Sequence, residues 1–467
     1  MKQALSLSLS LLTLIIALTS CGHKSSASGS LRDEAEKVIA QIATTSFSSN
    51  GIVVRCPDSL SGIDAREVIQ QAIDSCSLSG GGRVVLASGT YHIRGNIVLK
   101  SDVNLHLTKG ACMKFSGRAD DFLPEVFTRW EGTETFAHSP MIYALHAVNI
   151  AITGEGSIDA QGGKEFAEYS EKELEYRERL REMGNQAPPL YERRPFATDE
   201  VFRPECIQLI GCSRILIEGI TIYNSPFWTI HPVYCDNLIV RRVTIDSHYP
   251  NNDGCDPEST SNVLIENCTF RTGDDAVAIK SGRDADGRRV ARASKNIVIR
   301  NCLFKSECNG LCIGSEMSGG AENIYMHDIK VEHVKNAIYF KSNRDRGGYI
   351  RNVQVSDIEV GHVDGAILRF ETNYQGYRGG TFPSLYENFH IRNVRADESD
   401  NFAIFMDGLP ERPMRDIVIE NFTAKNVKIP CHLYATEDVI MNNVVINGET
   451  LPTVPVNDAI PIQFEVY

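Results

Sequence analysis

The sequence lacks the patterns that would link this chain to a structural metal, a disulfide framework or a nucleic acid. It contains no CxxC pair and no local cluster of His and Cys, so we expect neither a metal nor a cofactor. Thirteen cysteines are sparse and irregularly spaced, which argues against a compact disulfide framework. The formal net charge of −13 argues against the basic footprint that nucleic-acid binding requires.

The first 21 residues have a lysine near the start, an apolar run too short for a spanning helix, and small residues at the end. This pattern predicts a secretory signal. Leu18–Cys21 resembles the lipobox of bacterial lipoproteins, in which Cys21 would carry the lipid; the alternative is an ordinary cleaved signal with a chance cysteine. We therefore expect a lipoprotein signal over residues 1–21 and a tether with an N-terminal segment over 22–49.

The predicted lipoprotein signal places the protein in the cell envelope, with membrane contact only through the lipid anchor. No acidic cluster follows Cys21 directly, and this favours the periplasmic side slightly over the cell surface.

Short β-rich runs recur from the middle of the chain onwards. Nine of them begin, in order, at Ile215, Leu238, Val263, Ile297, Ile324, Val353, Phe389, Ile417 and Val439. Successive starts lie 23, 25, 34, 27, 29, 36, 28 and 22 residues apart. β-Branched residues dominate and no helical period recurs between the runs, which argues against a leucine-rich horseshoe. The pattern predicts a single right-handed parallel β-helix over residues 50–467.

Two segments interrupt the β pattern. The segment around AREVIQQAIDSC predicts a helix that ends at Gly80–Gly82 and caps the N-terminal end of the solenoid. The charged segment KEFAEYSEKELEYRERLREMGNQ, from Lys164, predicts a second helix. A solvated excursion is the simpler interpretation of this helix, and a wall of the binding cleft is the alternative.

Two acidic stretches, PNNDGCDPEST and RTGDDAVAIKSG, lie close together in the sequence. A polar turn would tolerate such residues for backbone reasons alone. In a β-helix, however, residues one coil apart become neighbours about 4.8 Å apart. Asp253 and Asp274 differ by 21 residues, close to one short coil, so we expect Asp253, Asp274 and Asp275 together on one exposed face. Because crowded carboxylates cannot all ionise freely, one of them is expected to have a raised pKa.

Several ordered motifs carry a family resemblance. NNDG at 251–254, GDD at 273–275 and IYFKSNRDRGG from Ile338 resemble the polygalacturonases and related pectin hydrolases of glycoside hydrolase family 28, which are right-handed β-helices. SPFWTIHP at 225–232 and KSGRDADGRR at 280–289 extend the resemblance. It implies that Asp274 donates a proton to the leaving oxygen, while Asp253 and Asp275 activate water for inversion.

The resemblance also implies an acidic pectic polysaccharide or oligosaccharide as substrate. The loop at 280–289 resembles those of exo-acting members, in which an insertion closes one end of the cleft. We therefore expect an exo-galacturonidase that removes α-linked galacturonic acid, on a homogalacturonan or a rhamnogalacturonan backbone. The alternatives are an endo-polygalacturonase, a calcium-dependent pectate lyase and a non-catalytic glycan-binding surface lipoprotein.

Two positions depart from the family pattern. Cys308 stands where the histidine of the family's GHG motif would be, and a thiol cannot replace a protonatable imidazole as a donor to a carboxylate. Tyr339 replaces the arginine of the family's Arg-Ile-Lys motif, whereas Lys341 keeps the lysine that grips a uronate carboxylate. Both changes favour a shifted substrate. Family members acting on rhamnogalacturonan also lack the histidine.

The remaining candidates are substrate-binding residues. Lys280, Arg283, Arg289 and Lys341 are expected to converge on a uronate carboxylate in a locally basic cleft. Further candidates are Asn251, His231 and Tyr339. His231 and its neighbour Trp228 form either a sugar platform or a packed turn. The Gly-rich loop that carries Tyr374, Tyr377 and Arg378 is interpreted more simply as an ordinary turn.

Overall fold

The computed structural model describes residues 31–57, 64–163, 165–194 and 199–453, which form one parallel β-helix. The signal over 1–21 with its lipid site Cys21 lies outside the described residues, as do residues 22–30 of the tether and residues 454–467. None of the helices in the described ranges combines the length and the apolar character needed to cross a membrane.

Strands account for about half of the described chain. The α-helices are α1 (Leu31–Gln41), α2 (Ala65–Leu78), α3 (Glu165–Gln186) and α4 (Asp284–Val290), and two 3₁₀ turns span Ala119–Phe122 and Leu190–Glu192. The first half of the strands comprises β1 (Gly51–Val54), β2 (Gly82–Leu86), β3 (Gly89–Ile93), β4 (Ile97–Val98), β5 (Val103–Leu107), β6 (Ala111–Phe115), β7 (Val126–Trp130), β8 (Thr133–Ala137), β9 (Ile142–Leu145), β10 (Val148–Gly154), β11 (Ser157–Asp159), β12 (Ile207–Ile210), β13 (Ser213–Glu218), β14 (Thr221–Tyr223) and β15 (Ile230–Val233). The second half comprises β16 (Asp236–Arg241), β17 (Thr244–Ser247), β18 (Ser261–Glu266), β19 (Thr269–Thr272), β20 (Val277–Ile279), β21 (Ser294–Arg300), β22 (Leu303–Ser306), β23 (Asn309–Ile313), β24 (Ala321–Lys341), β25 (Tyr349–Glu371), β26 (Leu385–Asp407), β27 (Met414–Ala424), β28 (Val427–Tyr434), β29 (Thr436–Ile446) and β30 (Glu449–Thr450).

The sequence repeats correspond to the coils of the solenoid. All nine run starts pair in parallel register, each with the start in the next coil, from Ile215 with Leu238 through to Ile417 with Val439. These residues point inwards and are almost fully buried, so each coil adds one apolar layer to a continuous core. The predicted parallel β-helix is therefore confirmed, and the right-handed sense is the one expected for parallel crossovers.

One row of turn residues repeats along the solenoid, just before each of the paired runs. Its residues have a left-handed backbone, which Asn adopts more readily than most side chains. Side-chain amides join five of them across successive coils at 2.7–3.0 Å, in the order Asn262, Asn296, Asn323, Asn352 and Asn388. We call these five residues the asparagine row. Each of these bonds joins one asparagine to its counterpart one coil away, and together they fix the stacking of the turns.

The helices cover the solenoid at three places. α2 packs its buried face on the first strands, as predicted for an N-terminal cap, and the side chain of Asp64 accepts a hydrogen bond from the Arg66 backbone N–H. α1 lies within the segment 22–49, where a tether was expected to precede the solenoid. Its residues Ala35 and Val38, together with Ile42 directly after it, pack on the outside of the central coils. α3 lies beside the cleft described below.

Candidate active site

A cavity of about 120 Å³ opens on the face formed by the third strand of each coil. β15, the segment 255–258, β20, β23 and the end of β24 form its floor. The residues that line it are Glu131, Arg177, Arg181, Trp228, Asn251, Asp253, Asp274, Asp275, Lys280, Arg283, Ser315, Glu316, Lys341, Tyr374 and Gln375. Nearly all of these side chains are polar or charged.

The two acidic stretches lie on adjacent coils, as the spacing predicted. The backbone N–H of Gly254 donates to the carbonyl of Asp275 at 2.9 Å, and Cys255 pairs with Val277. Asp253, Asp274 and Asp275 all line the cavity. The expectation of an exposed face was wrong, because Asp253 and Asp275 are only 2% and 1% exposed. The acids lie at the bottom of the cavity, where water screens them poorly.

Asp275 is held in its ionised form. Burial alone would raise its pKa, but Lys341, whose Nζ lies 2.9 Å from Oδ2, and Lys280 outweigh burial and hold the pKa below its usual value. The side-chain amide of Asn309 donates to the other carboxylate oxygen at 2.6 Å. Asp275 is therefore a carboxylate with both oxygens oriented, as a general base requires.

Asp274 differs from its chain neighbour in the direction of its pKa shift. Burial and the adjacent negative charge of Asp275 raise the pKa of Asp274. The hydroxyls of Thr272 and Ser306 each donate to its backbone carbonyl at 2.6 Å and fix the turn. Asn251, a predicted binding residue, lies with its Nδ2 3.5 Å from Oδ2. Two adjacent carboxyls with pKa values displaced in opposite directions provide one acid and one base.

A second pair of acids lies one coil below. Burial, followed by the charge of Asp256, raises the pKa of Asp253 well above its usual value. Asp256 is fully buried, and burial raises its pKa to about 8 although Lys280 and His231 act against this. Neither of its carboxylate oxygens has a hydrogen-bond partner among the described residues. Burial therefore raises the pKa values of both acids, whereas the pKa of Asp275 is lowered.

The predicted basic residues have separate partners. Lys280 lies 3.3 Å from Glu316 and 3.5 Å from Asp253, and its Nζ stands 4.0 Å over the Trp228 ring. Together with Lys341, it neutralises the cavity acids. The prediction that Arg289 points to the same place as Lys280 and Lys341 was wrong. Its guanidinium is half-exposed and bonds to Glu134 and Asp286, outside the residues that line the cavity.

His231 and Tyr339 lie behind the cavity lining. His231 is fully buried, and its Nε2 is 2.8 Å from Glu258. Burial lowers the pKa of His231, but Glu205 and Glu258 outweigh burial and raise it to about 9. The Tyr339 hydroxyl bonds to Glu371. The structure therefore places both residues as supports of lining side chains, in the case of His231 through its edge contact with Trp228.

Charged residues from distant parts of the chain close one end of the cavity. Glu131, at the tip of the β7–β8 hairpin, lies 2.6 Å from Arg181 and 3.4 Å from Arg177 of α3, and 3.2 Å from Arg283. The hairpin tip requires Gly132, because its φ is +79° and a Cβ would meet the Arg283 backbone at 2.8 Å. α3 is therefore a wall of the cleft, and its interpretation as a solvated excursion was wrong.

The Gly-rich loop also reaches the cavity, contrary to its interpretation as an ordinary turn. Tyr374 and Gln375 line the cavity. Arg378, further along the loop, lies 2.5 Å from Glu178 of α3. This ion pair joins the loop to the opposite wall, so the opening is bordered on both sides.

Sequence reasoning missed Asn309, Glu316, Asp256 and Glu131. Asn309 and Glu316 stand in CNGLCIGSE, beside the Cys308 that replaces the family histidine, and this proximity was a usable signal. Cys308 is close enough for its Sγ to lie within 4.8 Å of oxygens of Asp274 and Asp275, and burial raises its thiol pKa. No local sequence pattern identifies Glu131 as a site residue, because its hairpin reaches the cavity only through the tertiary fold.

Known proteins are similar to this chain in sequence and in fold. The sequence model described as Glycosyl hydrolases family 28 matches residues 192–423. A hyperthermoactive exopolygalacturonase from Thermotoga maritima has a similar structure, with a TM-score of 0.84, 35% sequence identity, and coverage of 90% of this chain and 96% of that chain.

Two further relatives are similar in sequence. A probable polygalacturonase from Vitis vinifera is 28% identical over 369 residues, which cover 75% of this chain and 69% of the relative. An exo-poly-alpha-D-galacturonosidase from Dickeya chrysanthemi is 23% identical over 425 residues, which cover 81% of this chain and 68% of the relative.

Proposed function

This chain belongs to glycosyl hydrolase family 28, and we propose that it removes galacturonic acid residues one at a time from the end of a pectic chain. As a member of that family it is a glycoside hydrolase, which sets it apart from a lyase. The observation that carries the proposal is the pair Asp274 and Asp275, whose pKa values are displaced in opposite directions at the bottom of a cavity closed at one end.

The acid and base follow from the electrostatics of the pair. Asp274, with its raised pKa, donates a proton to the glycosidic oxygen as the bond to the anomeric carbon breaks. Asp275, held ionised by Lys341, takes a proton from the attacking water. Asp253 borders the same space and, with its high pKa, orients the water by hydrogen bonding.

Inversion is the proposed stereochemical outcome, and the family resemblance supports it. Oxygens of Asp274 and Asp275 approach within 4.8 Å, whereas inverting pairs usually stand roughly 6.5–9.5 Å apart. The separation alone therefore does not favour inversion. Proton NMR of the first-formed anomer tests it directly, since a retained α product would exclude a single displacement by water.

Action at a chain end is supported by the closed end of the cavity. At that end Glu131 and Glu316 form ion pairs with three arginines from α3 and the loop after β20, and we infer that this network blocks the passage of a longer chain. Three guanidinium groups line this end of the cavity, and the guanidinium group suits the carboxylate of a terminal uronate.

The test is a time course on oligogalacturonides of defined length. We expect monomeric galacturonic acid as the first product, while the remaining oligosaccharide shortens by one residue at a time. A mixture of lengths at the earliest time would show endo action, and ultraviolet-absorbing unsaturated products would show elimination. The Asp274→Asn variant is the control for contaminating hydrolases.

The sugar next to the cleaved galacturonate is a finer proposal. Cys308 and Tyr339, which replace a histidine and an arginine of the family pattern, favour a rhamnogalacturonan backbone over homogalacturonan. Comparing kcat/KM on the two kinds of oligosaccharide decides between them, and a preference for homogalacturonan would reject this proposal.

We also propose that Cys21 carries a lipid that anchors the enzyme in the cell envelope, on its periplasmic side. Labelling with a radioactive fatty acid should mark the wild type and not the Cys21→Ser variant. Protease accessibility in intact cells then tests the side of the membrane.

A further inference from the structure

Two histidines and three carboxylates meet on the outer surface of the solenoid, outside the catalytic cavity. His333 Nε2 and His362 Nε2 lie 2.8 Å and 3.2 Å from the same oxygen of Asp364. His362 also contacts Glu398 at 3.1 Å and Asp400 at 3.4 Å. We call these five residues the histidine cluster.

Coil stacking creates this cluster. His333 on β24 pairs in register with His362 on β25, which pairs with Glu398 on β26. Because coil lengths separate these residues in sequence, no local motif reveals them. The sequence argument against a metal site considered only local clusters of His and Cys, and it did not cover ligands brought together by register.

The geometry suits a single ion on the Nε2 side of His362, because an imidazole binds an ion through one nitrogen and both Asp364 and Asp400 lie near Nε2. One ligand atom each from His333, His362 and Asp364 lie within 4.8 Å of one another, and the same holds for His362, Glu398 and Asp400. Zinc holds nitrogen and oxygen ligands at about 2.0–2.2 Å, so two of its ligands stand at most about 4.4 Å apart. Side-chain rotations at this accessible surface suffice to close the difference, since the β ladder already fixes the backbone.

We propose that the histidine cluster binds one divalent transition-metal ion of the zinc class. Imidazole with carboxylate suits zinc, whereas calcium and magnesium prefer sites made of oxygen alone. Three carboxylates on neighbouring coils repel one another, and a bound dication offsets that repulsion. The ion would cross-link three successive coils at their turns.

The cluster is separate from the catalytic acids along the solenoid axis. Asn309 and Asn336 continue the position of Asp275 on the next two coils, so His333 lies two coils beyond Asp275, or about 10 Å. A second possible zinc site lies within the cavity itself, where Asp274, Asp275 and Cys308 also approach within 4.8 Å. The experiment must distinguish these two sites.

Calorimetric titration of Zn²⁺ into chelator-treated protein is the primary test. We expect saturable binding by the wild type. His362→Ala and His333→Ala should each weaken it by at least about tenfold, because even residues that only orient metal ligands contribute 10–100-fold to affinity. The matched control is His390→Ala, which removes a histidine that contacts one carboxylate, Glu420, at 2.9 Å. Cys308→Ser should leave this binding unchanged.

Thermal unfolding supplies a second readout that does not depend on calorimetry. Zinc should raise the unfolding temperature of the wild type, because an ion that binds only the folded state stabilises it. The increase should disappear in His362→Ala, while in chelator the two proteins should unfold alike. If His362→Ala unfolds early in chelator, His362→Gln takes its place.

Three results would overturn the proposal. They are an absence of saturable zinc binding by the wild type, histidine variants that bind as tightly as the wild type, and binding that only Cys308→Ser removes. The last would assign the ion to the catalytic cavity. Calcium bound as tightly as zinc would reject the proposed class of ion.

Discussion

The asparagine row and the turns that carry the proposed catalytic acids Asp253, Asp274 and Asp275, here called the catalytic turns, belong to the same solenoid, but only the asparagine row repeats its residue. In the row, the amides of Asn296, Asn323, Asn352 and Asn388 each donate to the asparagine one coil earlier, and Asn262 donates to Asp236. At the catalytic position the residue changes from coil to coil, in the order Asp275, Asn309, Asn336 and Ala366. Where asparagine repeats, its side chains can hydrogen-bond to one another. Where the residue varies from coil to coil, side chains of different types must pair.

This difference determines what each region can do. The asparagine row carries neutral groups with local partners and fixes the stacking. The catalytic turns bury charges whose partners come from other coils, so Asp275 depends on Lys341 and Asn309 for its ionised state. We therefore expect substitutions in the asparagine row to change stability and substitutions in the catalytic turns to change activity.

The largest effect is expected for Asp274→Asn. It keeps the shape and removes the proton donor, so kcat/KM should fall by about 10²–10⁴-fold while the unfolding midpoint stays unchanged. Asp246→Asn is the matched control, because Asp246 is a partly exposed carboxylate that pairs with His248 outside the cavity lining. An Asp274→Asn variant with nearly full activity would show that the acid lies elsewhere.

Lys341→Met should displace the pH profile. Lys341 lowers the pKa values of Asp275 and Asp274. Its removal raises both, so Asp275 loses its charge at a higher pH than before and Asp274 keeps its proton to a higher pH. Both limbs of kcat/KM against pH should move to higher pH, with about a tenfold loss on the acidic side for each unit of movement.

Lys341→Arg keeps the positive charge and serves as the control for this prediction. Its pH limbs should stay close to those of the wild type. If Lys341→Met left both limbs in place, the charge of Lys341 would not set the ionisation of the pair.

Asn323→Ala should lower stability without lowering activity. It removes one donated and one accepted amide bond and places alanine at a left-handed φ of 57°. The free energy of unfolding should fall by about 1–3 kcal/mol. Asn401→Ala, outside the asparagine row, should cost less than about 0.5 kcal/mol. Loss of activity at a fixed folded fraction would break the proposed division between the two regions.

The smallest effect is expected for Arg378→Ala. The ion pair with Glu178 is 55% and 43% exposed, so its contribution to stability should be below about 1 kcal/mol. KM for an oligogalacturonide should rise, by no more than about fivefold, because the loop loses its tether to α3. Arg415→Ala removes a comparable pair with Glu387 far from the cleft and should leave KM unchanged.

The fold could be predicted because its signal is repeated. Nine apolar runs gave the coil spacing, and every one of their starts pairs in the structure. The stacking of Asp253 and Asp274 could also be predicted, because the two residues are one coil apart. Where the sequence provided periodicity or a motif, the position of a residue could be inferred.

The walls of the site had no such signal. Glu131 enters from a hairpin and Arg181 from a helix, both outside the repeats, so only the folded chain reveals that they meet. The prediction that Arg289 lies in the cavity was wrong for a related reason. It follows the acidic pair in the sequence, but α4 turns it towards Glu134 and Asp286. The position of Arg289 in the sequence indicated a positive charge near the acids, but it did not indicate where the side chain points.

The uneven coil lengths have an evolutionary consequence. Register between β25 and β26 is kept although their coil is 36 residues long, against 22 residues for the coil from β27 to β29. The additional residues are extruded at a turn, and in the longer coil they form the loop that carries Tyr374 and Arg378. Insertions at such turns can reshape the cleft mouth while the stacked strands stay in place. New substrate preferences are therefore accessible by lengthening a turn, without redesign of the scaffold.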